Sequence, residues 1–183
     1  MIVGVDEVGR GCWAGPLVAG AVLLAEPLPG LKDSKKLSKK RREVLDAIIR
    51  EQAVAYGLGW VDPAEIDRIG LTASVRLAMQ RAVACITSTY DALIIDGNYN
   101  FLHDHPLSSC LIKADDTVPA VSAASIIAKV ARDNYMADSS ATHQGYGFEK
   151  HVGYGTAQHI AALKEHGVSA LHRRSFAPIK ALL

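Results

Sequence analysis

Two short apolar runs, Met1–Val5 and Leu17–Leu24, open the chain, and the segment joining them contains Gly9, Gly11, Gly15 and Pro16. A link so short and so rich in turn residues has no room for a crossover helix, so the first strands join directly. Later apolar runs at Tyr56–Val61, Ala92–Ile95 and Ser109–Lys113 are separated by segments whose apolar residues recur at helical spacing. Ser38 is the expected N-cap of a helix to about Gln52, with Val44, Leu45, Ile48 and Ile49 on one face. Asp62-Pro63 opens a helical region, and longer helices are expected over about Thr72–Ile86 and Val118–Asp138. A final helix over Thr156–His166 stops at Gly167. Direct joins followed by helical joins predict an α/β fold, a mixed sheet with helices on both faces.

At 183 residues the chain is expected to be a single domain. Apolar residues make up 49% and charged residues 21%, a balance that excludes wholesale disorder. The longest apolar run, Leu17–Ala25, is nine residues, about half of a membrane-spanning helix, and the N-terminus lacks the features of a signal peptide. Cys12, Cys85 and Cys110 are odd in number and scattered, which argues against a zinc site or a disulfide framework. A cytoplasmic protein without membrane association is expected.

The net charge of +1 hides an asymmetry. Residues 32–43 hold seven Lys/Arg and two acids, residues 44–142 seven basic and twelve acidic residues, and residues 143–183 five basic and two acidic. Such a chain can bind a polyanion on one face and keep carboxylates elsewhere, although the 32–43 run taken alone fits a solvated loop and helix start better.

Carboxylates close three of the apolar runs: Asp6-Glu7, Asp96 before Gly97, and Asp115-Asp116 after Lys113. Strand neighbours face opposite ways, so Asp6 and Glu7 share a site only if the strand ends there. Acids at strand ends can converge on one crevice of an α/β fold, where they need cations to remain ionised together. Oxygen donors without His or Cys favour Mg²⁺ or Mn²⁺. The plain alternative is that the acids face different directions. Ala120–Asp133 reads as a small-residue helix packed close to the sheet, with Lys129 beside an acid and Arg132-Asp133 as an ion pair. Tyr146, Phe148, His151 and Tyr154 interleave with glycines and Lys150, which suits either nucleic-acid stacking or a self-packed loop. His159, His166 and His172 read as surface or capping residues, and no histidine pair has a spacing that would place both on one scissile bond.

Taken in order, these segments resemble the type 2 ribonuclease H family in its bacterial form, ribonuclease HII. The matching stretches are Asp6-Glu7-Val8-Gly9-Arg10-Gly11 with Ala14-Gly15-Pro16, Asp33 to Ser38, Ile95-Asp96-Gly97, and Lys113-Ala114-Asp115 leading into Ser122 to Asp133. Gly153 to Thr156 with His159, then His172-Arg173 with Ser175-Phe176, complete the set. The resemblance implies a ribonuclease H-like core over about residues 1–140 and a helical C-terminal extension over about 141–183. It implies an endoribonuclease that cuts the RNA strand of RNA–DNA hybrids and nicks DNA duplexes 5′ of embedded ribonucleotides. Two Mg²⁺ or Mn²⁺ ions would be held by Asp6, Glu7, Asp96 and Asp115, giving 5′-phosphate and 3′-hydroxyl ends.

Carried over from the family, Gly9, Arg10 and Gly11 would recognise the 2′-hydroxyl and phosphate of the ribonucleotide. Tyr154 would stack on the neighbouring sugar, and Ser34 and Lys35 would contact the duplex backbone. A monomer is expected. Cys12-Trp13 and Val8 depart from the common pattern beside the recognition turn. The chain starts on its first strand and has five residues after Phe176-Ala-Pro, so neither a type 3 N-terminal domain nor a clamp-binding tail is expected.

Overall fold

The computed structural model describes residues 1–31 and 34–183; Lys32 and Asp33, which belong to the basic run and Asp33 to its motif, lie outside them. Five strands form one sheet: β1 (Ile2–Val8), β2 (Leu17–Leu23), β3 (Ala55–Val61), β4 (Ala92–Asp96) and β5 (Ser108–Leu111). Their spatial order is β3-β2-β1-β4-β5. The directly joined β1 and β2 are antiparallel, as are β2 and β3, whereas β4 pairs parallel to both β1 and β5. The expected mixed sheet is therefore present.

Helix α1 (Lys39–Gln52) starts at Ser38, whose hydroxyl accepts from the Arg41 amide, and α2 (Pro63–Ile69) starts at Asp62, whose carboxylate accepts from the Glu65 amide. The following helix, α3 (Leu71–Val83), stops short of the expected Ile86. Short elements outside the expected ones are α4 (Ala114–Thr117) and a 3-10 turn at Ser34–Lys36, together with the two four-residue helices at Phe148–His151 and Ala177–Lys180. The long helix α5 (Pro119–Thr142) is followed by α6 (Phe148–His151), α7 (Ala157–His166) and α8 (Ala177–Lys180).

The helices cover both faces of the sheet. On one face Val3, Val5, Leu93 and Ile95 pack with Val75, Ala78 and Met79 of α3. On the other, Val22 meets Leu45 and Ile49 of α1 and Ala123, Ala124 and Ile127 of α5. The small residues of α5 allow close approach, and glycines answer them from the sheet. A Cβ on Gly4 would lie 2.1 Å from the Ala120 carbonyl carbon, and one on Gly20 2.4 Å from the Ala124 oxygen.

A third cluster joins the C-terminal helices to the β1–β2 connection through Ala14, Met136, Tyr146, Phe148, Leu163 and Leu171. Here the surface reading of the histidines fails for two of the three: His159 and His172 are buried, while His166 is exposed. Their bonds specify one neutral state. His159 donates from Nδ1 to the Tyr154 carbonyl (2.9 Å), which leaves its Nε2 to accept from His172 Nε2 at 3.0 Å. His172 Nδ1 in turn accepts from the Ser169 amide at 3.0 Å. A proton added at His159 Nε2 would face the His172 Nε2–H, and one added at His172 Nδ1 would displace the Ser169 amide, leaving only the Ser169 hydroxyl at 2.8 Å to accept it. Burial, with His159 alongside, holds His172 down to about 4.

Between the ordinary histidine value, about 6.5, and that value the unfolded chain binds a proton that the folded chain refuses. Stability should therefore fall as pH drops through this window, by up to about 3 kcal/mol, and this contribution should level off below it. Urea midpoints measured from pH 7 to pH 4 should show the slope in the wild type and a flatter profile in His172→Asn.

No described helix is long and apolar enough to cross a membrane.

Candidate active site

Strand register brings the first two acids together. The parallel pairing of β1 with β4 ends at Val5–Ile95, so the next residues, Asp6 and Asp96, lie side by side at the end of the ladder. Both alternate with the residues that face α3, and so sit on the α5 side of the sheet. Asp115 arrives differently from the strand-end reading: β5 stops at Leu111, and Lys113 takes a left-handed conformation (φ 60°). That reversal puts Asp115 in the first turn of α4, with its amide 3.4 Å from Asp96 Oδ1. The Ser122 hydroxyl of α5 donates to the Asp115 carbonyl at 2.6 Å and ties α4 in place. One carboxylate oxygen from each of Asp6, Asp96 and Asp115 lies within 4.8 Å of the others.

Glu7 is not in that group. Because β1 continues to Val8, Glu7 alternates with Asp6 along the strand and approaches the acids from the other face. It stays close electrostatically, since burial raises its pKa, Arg10 opposes the rise and Asp96 adds to it. The Arg10 guanidinium is 3.6 Å from the Glu7 carboxylate and packs over the Phe101 ring. Asp6 is raised well above the usual carboxylate value, first by burial and then by Glu7.

A serine pair that sequence reasoning did not single out for this role runs from Asp6 to the basic segment. Ser125 of α5 hydrogen-bonds the Asp6 side chain and lies 2.9 Å from the Ser34 hydroxyl. Ser34 is only 3% exposed. Of the two residues expected at the duplex backbone, Ser34 turns its hydroxyl to the interior, while Lys35 is exposed. An open crevice of about 590 Å³ beside the acids is lined by Lys35, Lys36, Asp96, Lys113, Asp115 and Asp116 among others. Lys36 and Asp116 pair across it at 2.6 Å.

The aromatic segment after α5 divides. Tyr146, Phe148 and His151 are buried as a self-packed cluster, whereas Tyr154 is exposed, near Cys12. Arg132 and Asp133 do not pair with each other. Asp133 takes Lys129 at 2.6 Å and Arg42 at 3.8 Å, and Arg132 turns inward to backbone carbonyls.

The family model for ribonuclease HII matches residues 3–179. The chain belongs to the ribonuclease HII family. Its sequence is 49% identical to ribonuclease HII of Halorhodospira halophila, over all of this chain and 94% of that one. Its fold is similar to the crystal structure of ribonuclease H2 from Pyrococcus horikoshii, with a TM-score of 0.81, 25% identity, and 99% and 96% of the two chains covered. It is also similar to ribonuclease HII of Archaeoglobus fulgidus, solved in a complex with PCNA: TM-score 0.81, 27% identity, coverage 94% and 93%. The enzyme is a ribonuclease H, an endoribonuclease of RNA–DNA hybrids, with the ribonuclease H-like α/β fold and a helical C-terminal region.

Proposed function

We propose that the enzyme cuts the RNA strand of hybrids and nicks DNA duplexes on the 5′ side of embedded ribonucleotides, with two divalent cations at the acidic site. The observation that carries this reading is the convergence of Asp6, Asp96 and Asp115 beside the Gly9–Gly11 turn. The donor set fits the ions, because carboxylate oxygens without histidine or cysteine suit Mg²⁺ or Mn²⁺. Asp6, Asp96 and Asp115 would hold them, with Glu7 reaching in from the other face. Bound there, such ions supply Lewis acidity to the phosphodiester and to the attacking water.

The chain's own residues do the rest. The Ser125 hydroxyl orients Asp6, and the Ser122–Asp115 bond keeps α4 at the site. Arg10 and Lys35, both exposed on the rim, offer charge to the flanking phosphates, and that attraction weakens with salt. A protein distinguishes RNA from DNA where it meets the 2′-hydroxyl, and the glycines of the turn let backbone amides come that close. Tyr154 lies exposed where a sugar could rest on its ring. In-line attack of water on phosphorus, with departure of the 3′-oxygen, leaves 5′-phosphate and 3′-hydroxyl ends. We place the activity in a single domain, acting as a cytoplasmic monomer; its three cysteines are free, which suits a reducing compartment.

The test is a labelled DNA duplex with one ribonucleotide, incubated with Mg²⁺, Mn²⁺ or EDTA beside an all-DNA control. The expected result is a metal-dependent nick 5′ of the ribonucleotide. Cleavage of long hybrids alone would remove the junction role of Gly9–Gly11 and Tyr154. Cyclic-phosphate ends formed in EDTA would overturn the metal reading.

A further inference from the structure

Two buried guanidiniums hold the turn between β1 and β2. Arg132 donates from Nε to the Pro16 carbonyl (2.8 Å), from Nη2 to Ala14 (3.1 Å) and from Nη1 to Val152 (2.9 Å). Arg173 donates from Nε to the Gly15 carbonyl (2.9 Å) and from Nη1 to the Arg10 carbonyl (3.2 Å), while its backbone amide donates to Trp13 (2.8 Å). Arg173 is fully buried, and its Nη2 lacks a partner among the described residues. A buried cation with an unmet donor is a costly way to fill space, and an apolar side chain would do so more cheaply. What Arg173 provides instead is a direction for the backbone.

The peptides of this turn are trans. In a trans peptide the carbonyl and the following N–H point opposite ways. The Arg10 carbonyl faces the buried guanidinium, so the Gly11 N–H faces outward. The Gly9 carbonyl turns in to accept from the Cys12 amide at 3.3 Å, so the Arg10 N–H also faces away from the interior. Neither amide donates to a described group, and Gly11 is exposed in open space.

We propose that Arg173 is a positioning residue for ribonucleotide selection: it holds the Arg10 carbonyl inside the protein and so presents the Gly11 N–H to the sugar–phosphate of the nucleotide at the site. This rests on the reading that the Gly9–Gly11 turn meets the ribonucleotide. Arg173 itself touches no substrate. A lysine at 173 has one ammonium and cannot span the Gly15 and Arg10 carbonyls as the planar fork does.

The test compares wild type, Arg173→Gln and Arg173→Lys by two measurements. One is the backbone order parameter of the Gly11 amide from ¹⁵N relaxation, with no nucleic acid present. The other is equilibrium binding in EDTA, by fluorescence anisotropy, to a duplex with one ribonucleotide and to its all-DNA counterpart. Gly11 should be rigid in the wild type and fall below about 0.6 in Arg173→Gln, with Arg173→Lys between them. Preference for the ribonucleotide duplex should fall about three- to tenfold in Arg173→Gln, with affinity for the all-DNA duplex unchanged. If Arg173→Gln does not fold, Arg173→Lys carries the comparison. A rigid Gly11 in the variants overturns the proposal, and so does an unchanged preference with a loosened Gly11. A wild type without any preference overturns the reading of the turn instead, while the order parameter still decides whether Arg173 positions the peptide.

Discussion

Asp96→Asn is expected to reduce hydrolysis of an RNA–DNA hybrid in Mg²⁺ by more than about 100-fold, because even the outer partners of metal ligands cost about 10- to 100-fold. The same variant should melt at the wild-type temperature or above it in EDTA. The two effects have one cause. Carboxylate oxygens of Asp6, Asp96 and Asp115 lie within 4.8 Å of one another, and their mutual repulsion is relieved by bound cations or by neutralising one of them. Asp6 already shows the strain, since burial, Glu7 and Asp96 all raise its pKa. Asparagine keeps an oxygen to accept the long Asp115 amide contact, so the local backbone has little reason to move. Hybrid cleavage rates and thermal melts with and without Mg²⁺ check both signs. A variant that lost activity and also melted earlier in EDTA would point to a structural role for Asp96 instead.

Gly4→Ala should destabilise the protein by about 3 kcal/mol or more, at the upper end of what overpacking costs. Gly4 lies on β1, two residues before Asp6, and its missing side chain faces the start of α5. The added carbon would sit 2.1 Å from the Ala120 carbonyl carbon and 2.2 Å from the Val121 amide, both backbone atoms that no rotamer change can move. Helix α5 would have to back away from the sheet and take Ser125 from Asp6, so the variant should also lose activity where it remains folded. Gly11→Ala is the matched control: Gly11 has open space around it and no left-handed φ, so its stability should stay within about 0.5 kcal/mol of wild type. Urea unfolding of the two variants beside wild type reads the difference.

Much of this was legible in the sequence because it is local. Ser38, Asp62 and Thr156 act within one turn of chain, and all three cap the helices they were expected to start. The strand pattern and the short β1–β2 link carried the mixed sheet, and the ordered motifs carried the family. Small residues in α5 announced a close approach, although not the glycines that meet it. Errors came where a residue's partner lies far along the chain. His159 and His172 look like surface residues until α7 and the C-terminal segment fold onto each other. Arg132 beside Asp133 looks like an ion pair, but neighbours on a helix diverge, and each finds a different partner.

Sequence alone thus determined the five strands, the longer helices, the family, and which acids are candidates for the site. Tertiary structure decided their arrangement. The β1–β4 register set Asp6 beside Asp96, while the continuation of β1 to Val8 turned Glu7 to the other face. The left-handed Lys113 moved Asp115 into α4, and the Ser125 contact drew Ser34 inside. Arg173 reaches carbonyls at Gly15 and Arg10 across almost the whole length of the chain. Helix caps and hydrophobic periodicity act over a few residues and can be read directly. Side-chain facing depends on strand register and on hydrogen bonds between distant segments, which exist only once the chain has folded.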